Sequence, residues 1–155
     1  RLRPLLAWPL VLVCLTVTWG LGIAPQINGE RSASNFVRQM LAQVPRDAEL
    51  GLLAYREQYL LYLDREVVNF GHARWREGDA EAFDAARWLA GGDKRVLLVS
   101  ENYLERCFAA NPRQLVGESS DEQWFLVEGM PASDCIARGN PSKVIRYQPP
   151  IGVLN

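Results

Sequence analysis

The sequence predicts an α/β domain, a three-layered and mostly parallel sheet with helices on both faces and an antiparallel pair of strands at one edge, preceded by one transmembrane helix. An uncharged apolar segment lies near residue 1, and beyond it apolar runs of strand length alternate with segments of helical periodicity. Parallel neighbours need crossover connections, which the intervening helices would supply. The length of 155 residues suffices for one domain of ordinary size.

An uncharged segment, Leu5–Ala24, predicts the transmembrane helix. Of its 20 residues 15 are apolar, and a helix of this length spans roughly 30 Å, the thickness of a bilayer's hydrocarbon core. Arg1 and Arg3 precede it, whereas Glu30 is the first charge beyond it, so the positive-inside rule places residue 1 in the cytoplasm. A cleaved secretory signal is the alternative, although the segment is longer than the usual signal core and lacks an Ala-x-Ala site.

This topology divides the chain into a membrane segment, residues 1–25, and an extracytoplasmic domain, residues 26–155. In the domain Ser34 can cap a helix that continues to Val44, and Pro45 ends it. A buried strand is predicted over residues 49–55. Residues 58–63 suit either a short helix or a strand, and we favour a helix because a better strand follows at once.

That better strand covers residues 67–70, and Asp79 can cap the next helix, which runs to Ala90. Gly91 and Gly92 stand where a helix end needs left-handed backbone. Residues 95–100 form a β-branched and leucine run typical of a strand, and Ser100 can cap a further helix. The antiparallel edge pair is predicted from two apolar runs on either side of a polar turn, residues 114–117 and 123–127.

Composition and motifs exclude several classes of function. The 17 basic and 18 acidic residues, with a pI of about 5.9, do not favour nucleic-acid binding. Glycine-rich phosphate loops are missing from the sequence, and three cysteines with one histidine lack the paired spacing of a zinc site. We therefore expect neither a cofactor nor a metal.

Polar residues follow each of the three predicted parallel strands. The carboxyl ends of parallel strands meet at one edge, where α/β sheets usually bind ligands. The candidate contact residues at this edge are Tyr55, Arg56, Glu57, His72, Arg74, Trp75 and Arg76, with Gly71, Ser100, Glu101 and Asn102 beside them.

Each of these features also has a purely structural interpretation. A nucleophilic set of Ser100, His72 and Glu57 is conceivable, but Ser100 is explained by helix capping and no Gly-x-Ser-x-Gly elbow surrounds it. His72 as a structural residue would only anchor its loop. The carboxylates of Asp79, Glu81 and Asp84 are interpreted as a solvated face in the first turns of a helix, where negative charge is favoured.

The cysteines outside the apolar segment form an even pair, Cys107 and Cys135. Two such thiols pair more often than not in an oxidising compartment, so we predict a disulfide between them. Two independent buried thiols are the alternative.

Five segments of the domain resemble the C-terminal extracytoplasmic domain of bacterial membrane glycosyltransferases of the aminoarabinose-transferase and protein-mannosyltransferase-like family. The resemblance covers most of residues 30–130, and the preceding apolar segment looks like the family's last transmembrane helix. The segments that carry it are Leu50–Arg65, Val67–His72, Ala85–Leu89, Arg95–Val99 and Gln123–Val127.

The resemblance implies a polytopic enzyme of the bacterial inner membrane that transfers a sugar from a polyprenyl-phosphate carrier, on the periplasmic side, to an acceptor such as lipid A or a protein. In this family the catalytic carboxylate lies in an extracytoplasmic loop of the membrane part, which this sequence does not include. No catalytic residue is carried over. The domain is expected to be non-catalytic and to have the bilayer and the catalytic part of the same enzyme as its partners, with the sugar carrier or the lipid acceptor as further candidates.

Two other classes of function stay open. The chain can be a membrane-anchored binding or sensor module for a small ligand, or a small anchored hydrolase, and either would use the strand-end residues around Tyr55 and His72. Within the transferase hypothesis, the loop from Gly71 to Gly78 is the predicted contact surface. Its two arginines can hold phosphate and its tryptophan suits a lipid headgroup boundary.

Overall fold

The structure, a computed structural model, describes residues 3–23, 33–71 and 74–150. A helix α1 (Arg3–Val17) is followed without a break by a π-helix (Thr18–Ile23). No helix within these ranges is both long and apolar enough to cross a bilayer. The transmembrane segment therefore stays a prediction.

A six-stranded mixed sheet forms the centre of the domain, in the order β4-β5-β3-β1-β2-β6. Its strands are β1 (Glu49–Leu52), β2 (Val67–Asn69), β3 (Arg95–Ser100), β4 (Arg113–Ser119), β5 (Glu122–Val127) and β6 (Ile145–Tyr147). The α/β class is confirmed, and so is the antiparallel pair at one edge, β4 with β5. The prediction of a mostly parallel sheet is wrong, because only β1 with β2 and β1 with β3 are parallel among the five pairings.

The mixed topology has two causes. The β4–β5 hairpin adds to the sheet through β5, which runs antiparallel to β3. At the other edge β6, which the sequence analysis does not predict, pairs antiparallel with β2. Its three residues are exposed or half-buried, so β6 lacks the apolar run that identifies a central strand.

Helices cover both faces of the sheet, as predicted. They are α2 (Ala33–Gln43), α3 (Ala80–Ala90), α4 (Glu101–Cys107) and α5 (Ser133–Arg138), with short 3₁₀ helices at Glu57–Tyr62, Arg74–Glu77 and Pro141–Lys143. The ambiguous segment at residues 58–63 is thus helical up to Tyr62. Ser34 lies inside the first turn of α2 and does not cap it, because the helix already begins at Ala33.

On one face, α2 and the 3₁₀ helix Glu57–Tyr62 enclose an aromatic cluster. The rings of Phe36 and Tyr59 lie 5.1 Å apart, and that of Trp124 packs edge-on at 5.6 Å from Tyr59. The buried Tyr59 hydroxyl donates to Ser119 Oγ at 2.9 Å, so its burial leaves no polar group unpaired. This cluster is the first of two cores.

On the opposite face, α3, α4 and α5 enclose the second core. Trp88 of α3 packs edge-on against Phe70 at 5.7 Å between ring centroids. A Cβ at Gly51 would lie 2.6 Å from the Trp88 ring, so the strand needs a glycine there for the helix to approach. The two cores establish the three-layered arrangement.

Gly91 and Gly92 serve a purpose other than the predicted left-handed turn. Gly91 has a φ of −85°, which any residue can adopt. A Cβ at Gly91 would lie 2.7 Å from Arg95 Nη1, and one at Gly92 would lie 2.9 Å from Arg95 Nε. The glycines therefore make room for the Arg95 side chain, which donates to the Trp88 carbonyl at 2.5 Å.

The Asp79 side chain also departs from its predicted role. It occupies the cap position of α3 but makes no capping hydrogen bond. Instead its carboxylate forms an ion pair with Arg106 of α4. Asp79 thus links two helices of the second core.

Cys107 and Cys135 are joined by a disulfide, with their Cα atoms 5.8 Å apart. The bond connects the end of α4 to α5, and Ala132 N donates to the Cys107 carbonyl beside it at 3.0 Å. It therefore holds the segment after β5 against the second core.

Replacing both Cys107 and Cys135 by Ala should lower the free energy of unfolding by about 3.5 kcal/mol, because the bond closes a loop with a sequence separation of 28. Urea unfolding of the purified chain measures the change. Cys14→Ser is the matched control, since that cysteine is a free thiol outside the domain. An unchanged midpoint in the double variant would contradict the stabilising role of the bond.

Candidate functional site

An open crevice of about 710 Å³ lies at the carboxyl ends of β1 and β3. Residues 54–58, which follow β1, form one side of it, and Ser100 and Tyr103 form another. Ser120 and Glu122 from the β4–β5 turn complete the lining, because β5 runs antiparallel to β3 and therefore begins where β3 ends. Of the predicted contact residues, Tyr55, Arg56 and Glu57 are brought together here.

Ser100 lies at the floor of the crevice. It is only 2% exposed, at the junction of β3 and α4, which is the predicted cap position. Its side chain nevertheless makes no capping hydrogen bond. The hydroxyl is therefore not committed to the helix end, contrary to the capping interpretation.

Glu81 of α3 supports the opposite wall. Its carboxylate accepts a hydrogen bond from Ala54 N at 2.9 Å, and the residue is 5% exposed. Ala54 has a φ of +51°, a left-handed conformation that is strained for a residue with a Cβ. The buried carboxylate thus holds the turn that carries Tyr55 to Glu57 away from β1.

Two tyrosines of the crevice have perturbed phenols. Burial raises the pKa of Tyr55 above its usual value, and the charges of Glu57 and Glu81 raise it further. Burial likewise raises the pKa of Tyr103, with Glu81 and Glu122 adding to the effect. Both phenols therefore stay protonated at neutral pH and can donate hydrogen bonds.

The crevice combines donors and acceptors in a small space. The Ser100 hydroxyl and the Tyr103 phenol can donate, whereas Glu57 and Glu122 can only accept while ionised. Arg56 adds a cationic donor at the rim, where its guanidinium lies 3.5 Å from the Ser120 carbonyl. This set suits the recognition of a polar small molecule through several hydrogen bonds.

Arg74 lies in a separate, inward-facing network. Its guanidinium donates to Asp84 at 2.7 Å and to the Phe70 carbonyl at 2.6 Å, and a further pair of bonds reaches Glu77. The side chain is only 10% exposed. The contact role predicted for Arg74 stays a prediction, and the structure shows its guanidinium already bonded to Asp84, Phe70 and Glu77.

The loop before Arg74 is shaped by this network. Gly71 has a φ of +108°, and a Cβ there would lie 2.5 Å from Arg74 Cδ. His72 lies outside the described residues. Trp75 and Arg76 belong to the 3₁₀ helix that follows, and the Arg76 side chain is exposed. The predicted contact function of Trp75 and Arg76 stays a prediction.

Asp84 completes the network from α3. One carboxylate oxygen pairs with Arg74, and the other accepts from Asn140 N at 2.6 Å. The interpretation of Glu81 and Asp84 as a solvated face is wrong, since both are buried. A signal for this exists in the sequence: Glu81, Asp84 and Trp88 are spaced by three and four residues and so share one helix face with the apolar core.

Within the described ranges, no group of three His, Cys, Asp or Glu side chains is arranged to hold a metal ion. The sequence matches no family model, and no curated protein or solved structure matches it. The function is therefore argued from the residues and their geometry.

Replacing Asp84 by Asn should lower the free energy of unfolding by about 3 kcal/mol, because it removes the buried anionic partner of Arg74 and leaves only the exposed carboxylate of Glu77. Asp47→Asn is the matched control. Its ion pair with Lys94 is largely exposed, so no measurable change is expected. Equal stability of the two variants in urea unfolding would show that the buried pair contributes no more than a surface pair.

Proposed function

We propose that the chain is the C-terminal part of a bacterial inner-membrane glycosyltransferase, with residues 5–24 in the bilayer and the α/β domain in the periplasm. The parent enzyme would transfer a sugar from a polyprenyl-phosphate carrier to a lipid A-like or protein acceptor. The domain itself would be non-catalytic and would support the membrane-embedded catalytic part. The resemblance stated above is the origin of this proposal, and the observation that carries it is an exposed apolar helix ahead of a disulfide-linked domain.

The helix has the surface expected of a lipid-embedded segment. Large apolar side chains are exposed along α1 and the π-helix, at Trp8, Leu10, Val11, Leu12, Val13, Leu15, Val17, Trp19 and Leu21. The Thr16 hydroxyl lies 2.9 Å from the Leu12 carbonyl, to which it can donate. Internal pairing of this kind satisfies a polar side chain where water is excluded.

The disulfide supports the orientation. Disulfides persist in oxidising compartments such as the bacterial periplasm and are rare in the cytosol. A bond between Cys107 and Cys135 therefore agrees with a domain on the outer side of the membrane. The same side follows from Arg1 and Arg3 ahead of the apolar segment.

Expression of residues 1–155 alone should give a membrane-bound protein that transfers no sugar. Alkaline-carbonate extraction should leave it in the membrane, and a phosphatase reporter fused after Asn155 should be active only in the periplasm. In the parent enzyme, deletion of residues 33–150 should lower sugar transfer to lipid A, measured by mass spectrometry of the lipid.

Three results would contradict separate parts of the proposal. Release of the intact chain by carbonate would refute the anchor, and a reporter active only in the cytoplasm would refute the orientation. Sugar transfer by residues 1–155 alone would refute a non-catalytic role.

A binding or sensor module for a polar small molecule is the second candidate, and the crevice favours it. The Ser100 hydroxyl is buried at the carboxyl edge of the sheet without a capping role, and two protonated phenols lie nearby. Ligands of open α/β sheets bind at this edge. A module of this kind would use the anchor only to stay at the membrane.

In this second case, a panel of monosaccharides should shift the amide resonances of residues 54–58 and 100–103. Ser100→Ala should weaken the binding about tenfold through the loss of one hydrogen bond. Ser133→Ala is the control, because Ser133 is an exposed serine on a different helix. If no amide resonance shifts, or if both variants weaken the binding equally, the result would count against a ligand in the crevice.

A further inference from the structure

A shallow groove of about 390 Å³ lies on the outer side of α2, away from the crevice. One wall is a stripe of α2, which the spacing of Ser34, Arg38, Leu41 and Ala42 by four and three residues places on one helix face. The other wall comes from Arg46, Tyr62, Asp64 and Arg65. We call this surface the arginine groove.

The arginine groove carries a net positive charge. It contains three arginines, Arg38, Arg46 and Arg65, and one acidic residue, Asp64. Arg65 pairs with Asp64 at 3.1 Å and also donates to the Pro45 carbonyl, so it is fixed in the wall. Arg38 and Arg46 are exposed, and neither forms an ion pair with any residue that the structure describes. Two cationic side chains are therefore available to an anionic partner.

Apolar surface adjoins these charges. Leu61 is 65% exposed and Tyr62 is 37% exposed, on the same 3₁₀ helix whose Tyr59 is buried in the first core. This helix is therefore held firmly from inside while its outer side presents an aliphatic and an aromatic side chain. Arginines next to exposed apolar and aromatic residues are typical of surfaces that bind at a bilayer interface.

The arginine groove begins shortly after the apolar helix along the chain, and this short connection limits the distance between the groove and that helix. Ser34 follows Ile23, the last described residue of the apolar helix, by 11 residues, which can span at most about 40 Å when fully extended. If the apolar helix is embedded, the start of the groove cannot lie farther than that from the bilayer. A soluble anion would gain nothing from this tether or from Leu61, whereas a lipid headgroup layer would.

We propose that the arginine groove docks on the anionic lipid headgroups of the membrane that holds the apolar helix, with Arg38 and Arg46 as the headgroup contacts. This inference rests on the proposed anchoring but not on the proposed transferase activity. Docking fixes the orientation of the domain on the bilayer, and the strand-end crevice then has a defined position above the membrane. Each basic side chain at an anionic surface strengthens binding about fivefold, so the two arginines together account for about 25-fold.

The test uses residues 1–155 reconstituted in vesicles of phosphatidylcholine with and without phosphatidylglycerol. A polarity-sensitive fluorophore is attached at Ala42→Cys in a Cys14→Ser background, since Ala42 is exposed and lines the groove. Its emission should shift to the blue in the phosphatidylglycerol vesicles only. Arg38→Gln with Arg46→Gln should reduce the docked fraction, with a ratio of docked to undocked protein about 25-fold lower.

Arg113→Gln with Lys143→Gln is the matched control, because it removes the same charge from exposed positions outside the groove. This control should keep the shift, and an equal loss in both double variants would overturn the proposal in favour of a bulk-charge effect. A shift in phosphatidylcholine vesicles on addition of inorganic phosphate would also overturn it, because the ligand would then be a soluble anion.

A separate measurement tests whether the apolar helix is embedded in the bilayer. In the chain that keeps Cys14, a membrane-impermeant maleimide should not label this thiol if the helix is embedded. Protection of Cys14 without a lipid-dependent shift at position 42 would refute docking while leaving the anchor intact. Rapid labelling of Cys14 would refute the anchor, and the docking proposal with it.

Discussion

The buried carboxylate of Asp84 is the interaction on which the arrangement of the domain's second half depends. It binds Arg74 from the loop before α3 and the backbone of Asn140 from the segment before β6, so three stretches of chain that are distant in sequence meet at one side chain. A buried ion is tolerated only when its remaining lone pairs are also satisfied, and here both oxygens are used. The segment that leads into β6 is thereby held beside α3, and β6 itself pairs with β2 at the edge of the sheet.

The same helix provides a second buried acid, one turn earlier. Glu81 accepts from Ala54 N and thereby fixes the turn after β1, where the crevice begins. Asp84 thus holds the C-terminal segment, and Glu81 shapes the carboxyl edge of the sheet. The buried alanines of α3, together with Gly51 opposite the Trp88 ring, let this helix lie close to the sheet.

The sequence predicts a structural element only where the side chains of that element follow a recognisable apolar pattern. The runs at residues 49–55 and 95–100 are apolar at nearly every position, as strands buried on both faces must be, so they were identifiable from the sequence. Ile145–Tyr147 has no such signal, because an edge strand with exposed side chains is specified by its partner. The mixed direction of the sheet could not be predicted for the same reason, since it depends on which edges the hairpin and β6 join.

The candidate site could likewise be predicted only in part. Tyr55, Arg56 and Glu57 were predicted at the crevice because the rule for strand ends depends only on the order of elements. Glu81 was missed, because a carboxylate in the first turn of a helix is usually solvated and favoured there by the helix dipole. The bonds of Arg74 could not be predicted either, because the sequence records its charge and not its partners, and only the fold reveals that Asp84 lies opposite it.

The two exposed features of the chain have different physical origins. The crevice is a consequence of topology, because two parallel strands end together and an antiparallel hairpin begins beside them. The arginine groove contains no residue of the sheet, and its Arg38 and Arg46 belong to neither core. Mutations in the groove should therefore leave the crevice intact. That separation lets membrane docking and ligand binding be examined one at a time in the same chain.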